Sequence, residues 1–156
     1  MHIFRADLHV HTVLSPCAEV EMIPPLIVER ALELGIDLIA ITDHNASANV
    51  HAVQKAAEGT GLTVLPGMEV QTREDIHLLC LFASLPDLET WQHDVNLSLP
   101  DEVNSAEHLG EQFVVDKNGE YIRTEERLLL TSTSFTIEET LQRVNELALC
   151  TLRANV

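Results

Sequence analysis

Apolar positions in the first half of the chain switch repeatedly between two periods. Ile3 to Val10 is a short apolar-rich run and predicts a strand. Pro25 to Leu34 predicts a helix: Pro24 and Pro25 open it, Ile27, Ala31 and Leu34 share a face, and Gly35 closes it. Asp37 to Thr42 is a continuous apolar run, the pattern of a strand buried on both faces. Ala46 to Glu58 predicts a second helix, with Asn45 or Ser47 as cap and Gly59 as stop. Leu62 to Leu65 returns as a strand that Pro66-Gly67 bends or ends, and Val70 and Ile76 to Ala83 supply further strand material. Such β-α-β-α-β alternation implies parallel strands joined by crossover helices, an α/β fold.

The second half is less regular. Ser84 can cap a helix carrying Leu88, Trp91 and Val95, and the polar stretch from Asn96 to Glu111 predicts a loop. Phe113 to Ile122 predicts a hairpin turning at Asn118-Gly119. Leu128 to Leu130 can form a strand. Thr136 to Glu139 has the form of a capping box, and Ile137, Leu141 and Val144 give the following helix its apolar face.

Length and charge narrow the classes. A chain of 156 residues, 46% hydrophobic and 22% charged, suits one soluble globular domain. Nine Lys and Arg against 25 Asp and Glu give a net charge of −16. That field repels nucleic acid and anionic membranes unless a bound cation reverses it locally. No apolar run approaches the roughly 20 residues that span a bilayer, and Met1 to Val10 carries no signal-peptide pattern. The three cysteines, Cys17, Cys80 and Cys150, form no C-x-x-C pair and no disulfide framework, which points to a reducing cytoplasm.

Three segments carry candidate chemistry. In Asp7-Leu8-His9-Val10-His11-Thr12, residues 7, 9 and 11 face one way on a strand, so two imidazoles can approach one metal or two adjacent ones, with Asp7 orienting an imidazole. Ordinary hydrogen-bonded histidines are the alternative. Thr42-Asp43-His44-Asn45 lies at the end of an apolar strand, where α/β folds place their sites. Helix capping accounts for one of these polar residues, but not for Asp and His together. Glu69 and His77 would stand roughly 26 Å apart on one straight strand. If Thr72 to Asp75 is a turn, Val70 pairs with His77, and Glu69 and His77 converge; otherwise this is a surface hairpin. Imidazole with carboxylate suits Zn, Mn or Fe, and a bridging Glu suits a multinuclear site. Cys17 can be a soft ligand or a small buried side chain. Arg5 and Arg73 lie near the motifs and can help hold phosphate.

These segments, in this order and spacing, resemble the first three motifs of the PHP (polymerase and histidinol phosphatase) family: D-L-H-V-H-T at 7–12, T-D-H-N at 42–45, and G-M-E with a following His at 67–77. The resemblance is to stand-alone bacterial phosphoesterases and runs from residue 3 to about residue 149. It implies a distorted (β/α)7 barrel and two or three divalent metal ions, Zn, Mn or Fe. The implied reaction is hydrolysis of a phosphate mono- or diester by a metal-activated water. It also implies His9, His11, His44, Glu69 and His77 as metal ligands, with Glu69 bridging. Cys17 stands where some members place a further ligand, and Asp43 where a supporting residue lies. His51, His93 and His108 fit no motif and are expected to be solvated.

The family's last two motifs are missing, and Ala154-Asn155-Val156 falls where the fourth-motif His belongs. Barrels of this class run from about 200 residues upward. The expectation is a single PHP domain over 1–156, incomplete at its C-terminus: a partial barrel lacking its last strands. Its open edge would favour self-association or a partner chain. The expected substrate is a small phosphorylated compound, with no membrane and no nucleic-acid partner. The alternatives are a catalytically impaired metal-binding or regulatory fragment, and an amidohydrolase-like metal hydrolase.

Overall fold

The computed structural model describes residues 3–154; Asn155 and Val156, the proposed fourth-motif position, lie outside the described residues. A five-stranded sheet organises the molecule, in the order β1 (Ala6–Val10), β2 (Leu38–Ile41), β3 (Thr63–Gln71), β4 (His77–Phe82), β7 (Ala148–Arg153). Only β1, β2 and β3 are parallel; β4 runs antiparallel to β3, and β7 antiparallel to β4. The alternation therefore holds for the first three strands, and the sheet as a whole is mixed and curled.

Helix α1 (Pro24–Glu33) begins at its proline, whose missing N–H costs nothing in a first turn. Helix α2 (Val50–Ala57) begins four residues later than expected. Its cap is Asn49 rather than Asn45 or Ser47, and Asn45 takes a left-handed φ of 49° in the preceding loop. The Asn45 side chain is spent elsewhere: Nδ2 donates to the carbonyls of Leu129 and Thr131, and Oδ1 accepts from the Gln71 N–H.

Strand β3 does not end at Pro66-Gly67. Its first part, Thr63 to Pro66, pairs with β2, and its second part, Gly67 to Gln71, pairs with β4. Pro66 stands at the junction of the two ladders, where a missing N–H is least costly. Gly67 is required by a close approach: a Cβ there would lie 2.8 Å from Thr42 Cγ2 and 2.9 Å from the Ile41 carbonyl.

Helix α3 (Leu85–Ser98) is capped by Ser84 and buries Leu88, Trp91 and Val95 against the sheet. It extends into the stretch expected to be loop, and a short helix α4 (Ala106–Leu109) follows. Strands β5 (Phe113–Val115) and β6 (Tyr121–Thr124) form the predicted hairpin. Leu128 to Leu130 is not a strand; Arg127 makes only an isolated bridge with Val103. Helix α5 (Ile137–Asn145) carries the predicted capping box: Thr136 Oγ1 accepts from the Glu139 N–H at 3.1 Å, and Glu139 Oε2 from the Thr136 N–H at 2.9 Å.

Candidate metal centre

The strand ends bring His9, His11, His44, Glu69 and His77 together. Glu69 is 1% exposed and lies at the middle of the cluster. Its Oε2 is 2.7 Å from His11 Nε2, 3.1 Å from His9 Nε2 and 3.4 Å from His44 Nδ1; its Oε1 is 2.9 Å from His77 Nδ1. The His9 and His11 ring nitrogens are themselves 3.2 Å apart.

Each placement has a local cause. His9 and His11 alternate with Val10 at the end of β1 and so share a face. His44 follows β2 and bridges in parallel to Glu69: the Glu69 N–H donates to the Asp43 carbonyl, and the Asn45 N–H to the Glu69 carbonyl. The β3–β4 register pairs Gln71, not Val70, with His77. This one-residue difference matters, because a slip of one turns every side chain to the other face. The observed register sets Glu69 and His77 on one face as diagonal neighbours.

Asp43 is fully buried but points away from the cluster, into the loop after β1. It accepts from the Thr12 N–H at 2.7 Å, Thr12 Oγ1 at 2.8 Å and Ser15 Oγ at 2.7 Å. Ser15 Oγ in turn accepts from the His44 N–H at 3.1 Å. Burial pushes the Asp43 carboxyl up, against the opposing pull of Ser15, His11 and Thr12. Ser15 and Asn49 were not legible as site residues. Asn49 ties Thr12 Oγ1 to the hairpin through Phe113 and Val115.

Cys17 is exposed, not buried, and its Sγ lies 3.2 Å from His11 Nδ1. Arg5 sits at the opposite end of the sheet, near the Leu34 carbonyl, and Arg73 is an exposed turn residue whose N–H bonds Phe135. Among the described residues neither forms a hydrogen bond or ion pair with the cluster. His51, His93 and His108 are exposed, as expected.

The electrostatics are those of a carboxylate among imidazoles. Burial alone would raise Glu69, but the bonds from His11 and His9 and the field of His44 hold it down at about 2. Burial would lower His11, yet Cys17, Glu69 and Asp43 raise it to about 10. Burial dominates at His44 and lowers it to about 4. His44 is only 5% exposed, and its Nδ1 has no hydrogen-bond partner. A buried polar atom without a partner is costly, and a cation among these donors would satisfy it. Donor atoms lie mutually within 4.8 Å in three groups: His9, His11 and Glu69; His44, Glu69 and His77; and His11, Cys17 and His44. Nitrogen and carboxylate donors of this kind suit Zn, Mn or Fe.

The family model for the PHP domain matches residues 7–148. The chain belongs to the PHP family. Among curated relatives, the 5'-3' exoribonuclease Rnm of Salmonella typhimurium is 34% identical over 80 residues, covering 48% of this chain and 26% of that protein. The phosphoribosyl 1,2-cyclic phosphate 1,2-diphosphodiesterase of Eggerthella lenta is 29% identical over 80 residues, covering 48% of this chain and 29% of its own. The crystal structure of the lesion-specific endonuclease PfuEndoQ from Pyrococcus furiosus is similar in fold, with a TM-score of 0.64 at 20% identity. It covers 97% of this chain and 34% of that one. The PHP chain thus spans between a quarter and a third of the length of these relatives.

Proposed function

We propose that the chain carries the metal centre of a phosphoesterase and hydrolyses a phosphate ester. His9, His11, His44, Glu69 and His77 would hold a pair of divalent ions, Zn, Mn or Fe, with Glu69 bridging them. The observation that carries this reading is Glu69 itself: a buried carboxylate whose two oxygens face four imidazoles from the ends of three strands, β1, β2 and β4. A bound divalent ion would supply a water of lowered pKa and neutralise charge on the phosphate oxygens.

The chain's own residues set access and orientation. Side-chain exposure falls from His9 at 36% through His11 at 16% and His77 at 14% to His44 at 7% and Glu69 at 2%. Substrate therefore enters on the His9 side, while His44 and Glu69 form the floor. Asp43 positions the loop after β1 by anchoring Thr12 and Ser15, and so fixes His11 and His44 relative to each other. The fold around the centre fits a partial distorted (β/α)7 barrel.

Relatives named as an exoribonuclease and a cyclic-phosphate diesterase support a phosphodiester substrate. A net charge of −16 disfavours a long polyanion lying across the surface. A small phosphodiester or the terminal phosphodiester of a nucleic acid meets both conditions. The free thiols at Cys17, Cys80 and Cys150 fit a reducing cytoplasm. Hydrolysis of a chromogenic phosphodiester, with and without added Mn2+, tests the reading. Metal-dependent turnover lost in Glu69→Gln is expected. Metal binding without turnover would instead favour a metal-binding or regulatory module.

A further inference from the structure

We propose that Asn49 is a positioning residue of the metal centre. Through it the β5–β6 hairpin clamps the loop after β1, so that hairpin docking and metal binding favour each other. The proposal rests on the reading of the cluster as a metal centre. Asn49 is the N-cap of α2, where an Asn side chain ordinarily accepts a backbone N–H of the first turn. Here it makes no cap bond. The buried side chain is turned elsewhere. Its Nδ2 donates to the Phe113 carbonyl at 3.0 Å and its Oδ1 accepts from the Val115 N–H at 3.0 Å, so the amide pairs with β5 as a neighbouring strand would. Nδ2 also donates to Thr12 Oγ1 at 2.9 Å.

That last bond fixes the direction of those beyond it. A hydroxyl has one proton and two lone pairs. The Asn49 amide and the Leu14 N–H both donate to Thr12 Oγ1, and its own proton goes to Asp43 Oδ2 at 2.8 Å. Asp43 Oδ1 accepts from Ser15 Oγ, which accepts from the His44 N–H. Thr12, Ser15, Asp43 and Asn49 are all fully buried, so water does not compete for these bonds. They run unbroken from the hairpin to the backbone of His44 and to the residue after His11. The hairpin also rests on this loop directly. The Phe113 N–H donates to the Val13 carbonyl, Val114 packs with Leu14, and a Cβ on Gly119 would stand 2.7 Å from Ile23 Cδ1. If the docked hairpin holds His11 and His44 in their metal-binding arrangement, bound metal must hold the hairpin docked by the same factor.

The experiment measures hydrogen exchange of the full chain by mass spectrometry with and without Mn2+, and Mn2+ affinity by calorimetry. In the wild type, saturating Mn2+ should slow exchange across the hairpin about tenfold and leave α5 unchanged. Asn49→Leu, close in size, removes the three side-chain bonds. It should bind Mn2+ about tenfold more weakly, the low end for a group that orients ligands from outside, and its hairpin should gain no protection on loading. Val144→Ala truncates the buried core side chain of α5 and should lower the urea midpoint with Mn2+ affinity unchanged. Equal loss of affinity in Val144→Ala and Asn49→Leu would make the effect one of general stability and overturn the proposal. The wild-type exchange decides even where Asn49→Leu does not fold. Mn2+ bound with hairpin exchange unchanged, or with equal slowing everywhere, overturns the clamp and leaves the Glu69 centre standing. A wild type that binds no Mn2+ overturns both readings.

Discussion

Gln at position 69 would keep the shape of the side chain and remove the charge that both halves of the cluster share. Glu69→Gln should therefore lower bound metal more than His44→Gln, which removes one donor from the buried side. Elemental analysis after gel filtration compares the two, and equal stoichiometry would show that Glu69 does not bridge. Cysteine reactivity gives a second test at this scale. Burial pushes the Cys80 thiol far up, whereas Cys17 and Cys150 are exposed. A maleimide at neutral pH should label Cys17 and Cys150 of the chelated native protein, and Cys80 only after denaturation; mass spectrometry of peptides reads the sites. The clustered histidines were legible because a period of two places His9 and His11 together, and because His44 and Glu69 close apolar strands. Ser15 and Asn49 were not, because their partners lie 28 to 66 residues away and no local pattern marks them.

Two positions show how the elements hold the site. Gly67→Ala would put a methyl group 2.8 Å from Thr42 Cγ2, 2.9 Å from the Ile41 carbonyl and 3.1 Å from Leu81 Cδ2. Strands β2 and β3 would have to separate just before His44 and Glu69, at a cost of about 1–3 kcal/mol typical of overpacking. Asn45→Ala would strip the buried Leu129 carbonyl, and the half-buried Thr131 carbonyl and Gln71 N–H, of their side-chain partner. Unsatisfied buried groups cost about 1–3 kcal/mol each. Urea denaturation should show both losses as a lower midpoint at unchanged slope; a midpoint equal to wild type would contradict either assignment. Element types were readable from periodicity, and so was the capping box at Thr136. Register was not. Two apolar strands joined by a turn can pair one residue apart, and only the packing of Glu69 against the imidazoles distinguishes Gln71–His77 from Val70–His77. The continuation of β3 through Pro66 was equally hidden, because it depends on a change of partner strand.

At the scale of the molecule, β1 and β7 each pair on one side only among the described residues. Apolar grooves flank both: one of about 270 Å³ lined by Val10, Met22, Leu26, Ile27 and Leu34, and one of about 370 Å³ lined by Ile76, Leu78, Ile137, Leu141 and Leu152. Unpaired edges beside apolar surface promote association, and the charge of −16 opposes it at low salt. Light scattering at rising NaCl should therefore show mass growing with ionic strength, and a monomer at every salt concentration would contradict this. Among the described residues no helix is long and apolar enough to cross a membrane.

Electron paramagnetic resonance of the Mn2+-loaded chain tests the central claim, a carboxylate shared by two ions. Ions in two-metal sites lie about 3.5–4 Å apart, close enough for their spins to couple. The wild type should give an exchange-coupled spectrum that disappears in Glu69→Gln. A spectrum of isolated, uncoupled Mn2+ in the wild type at saturating metal would contradict a centre bridged by Glu69.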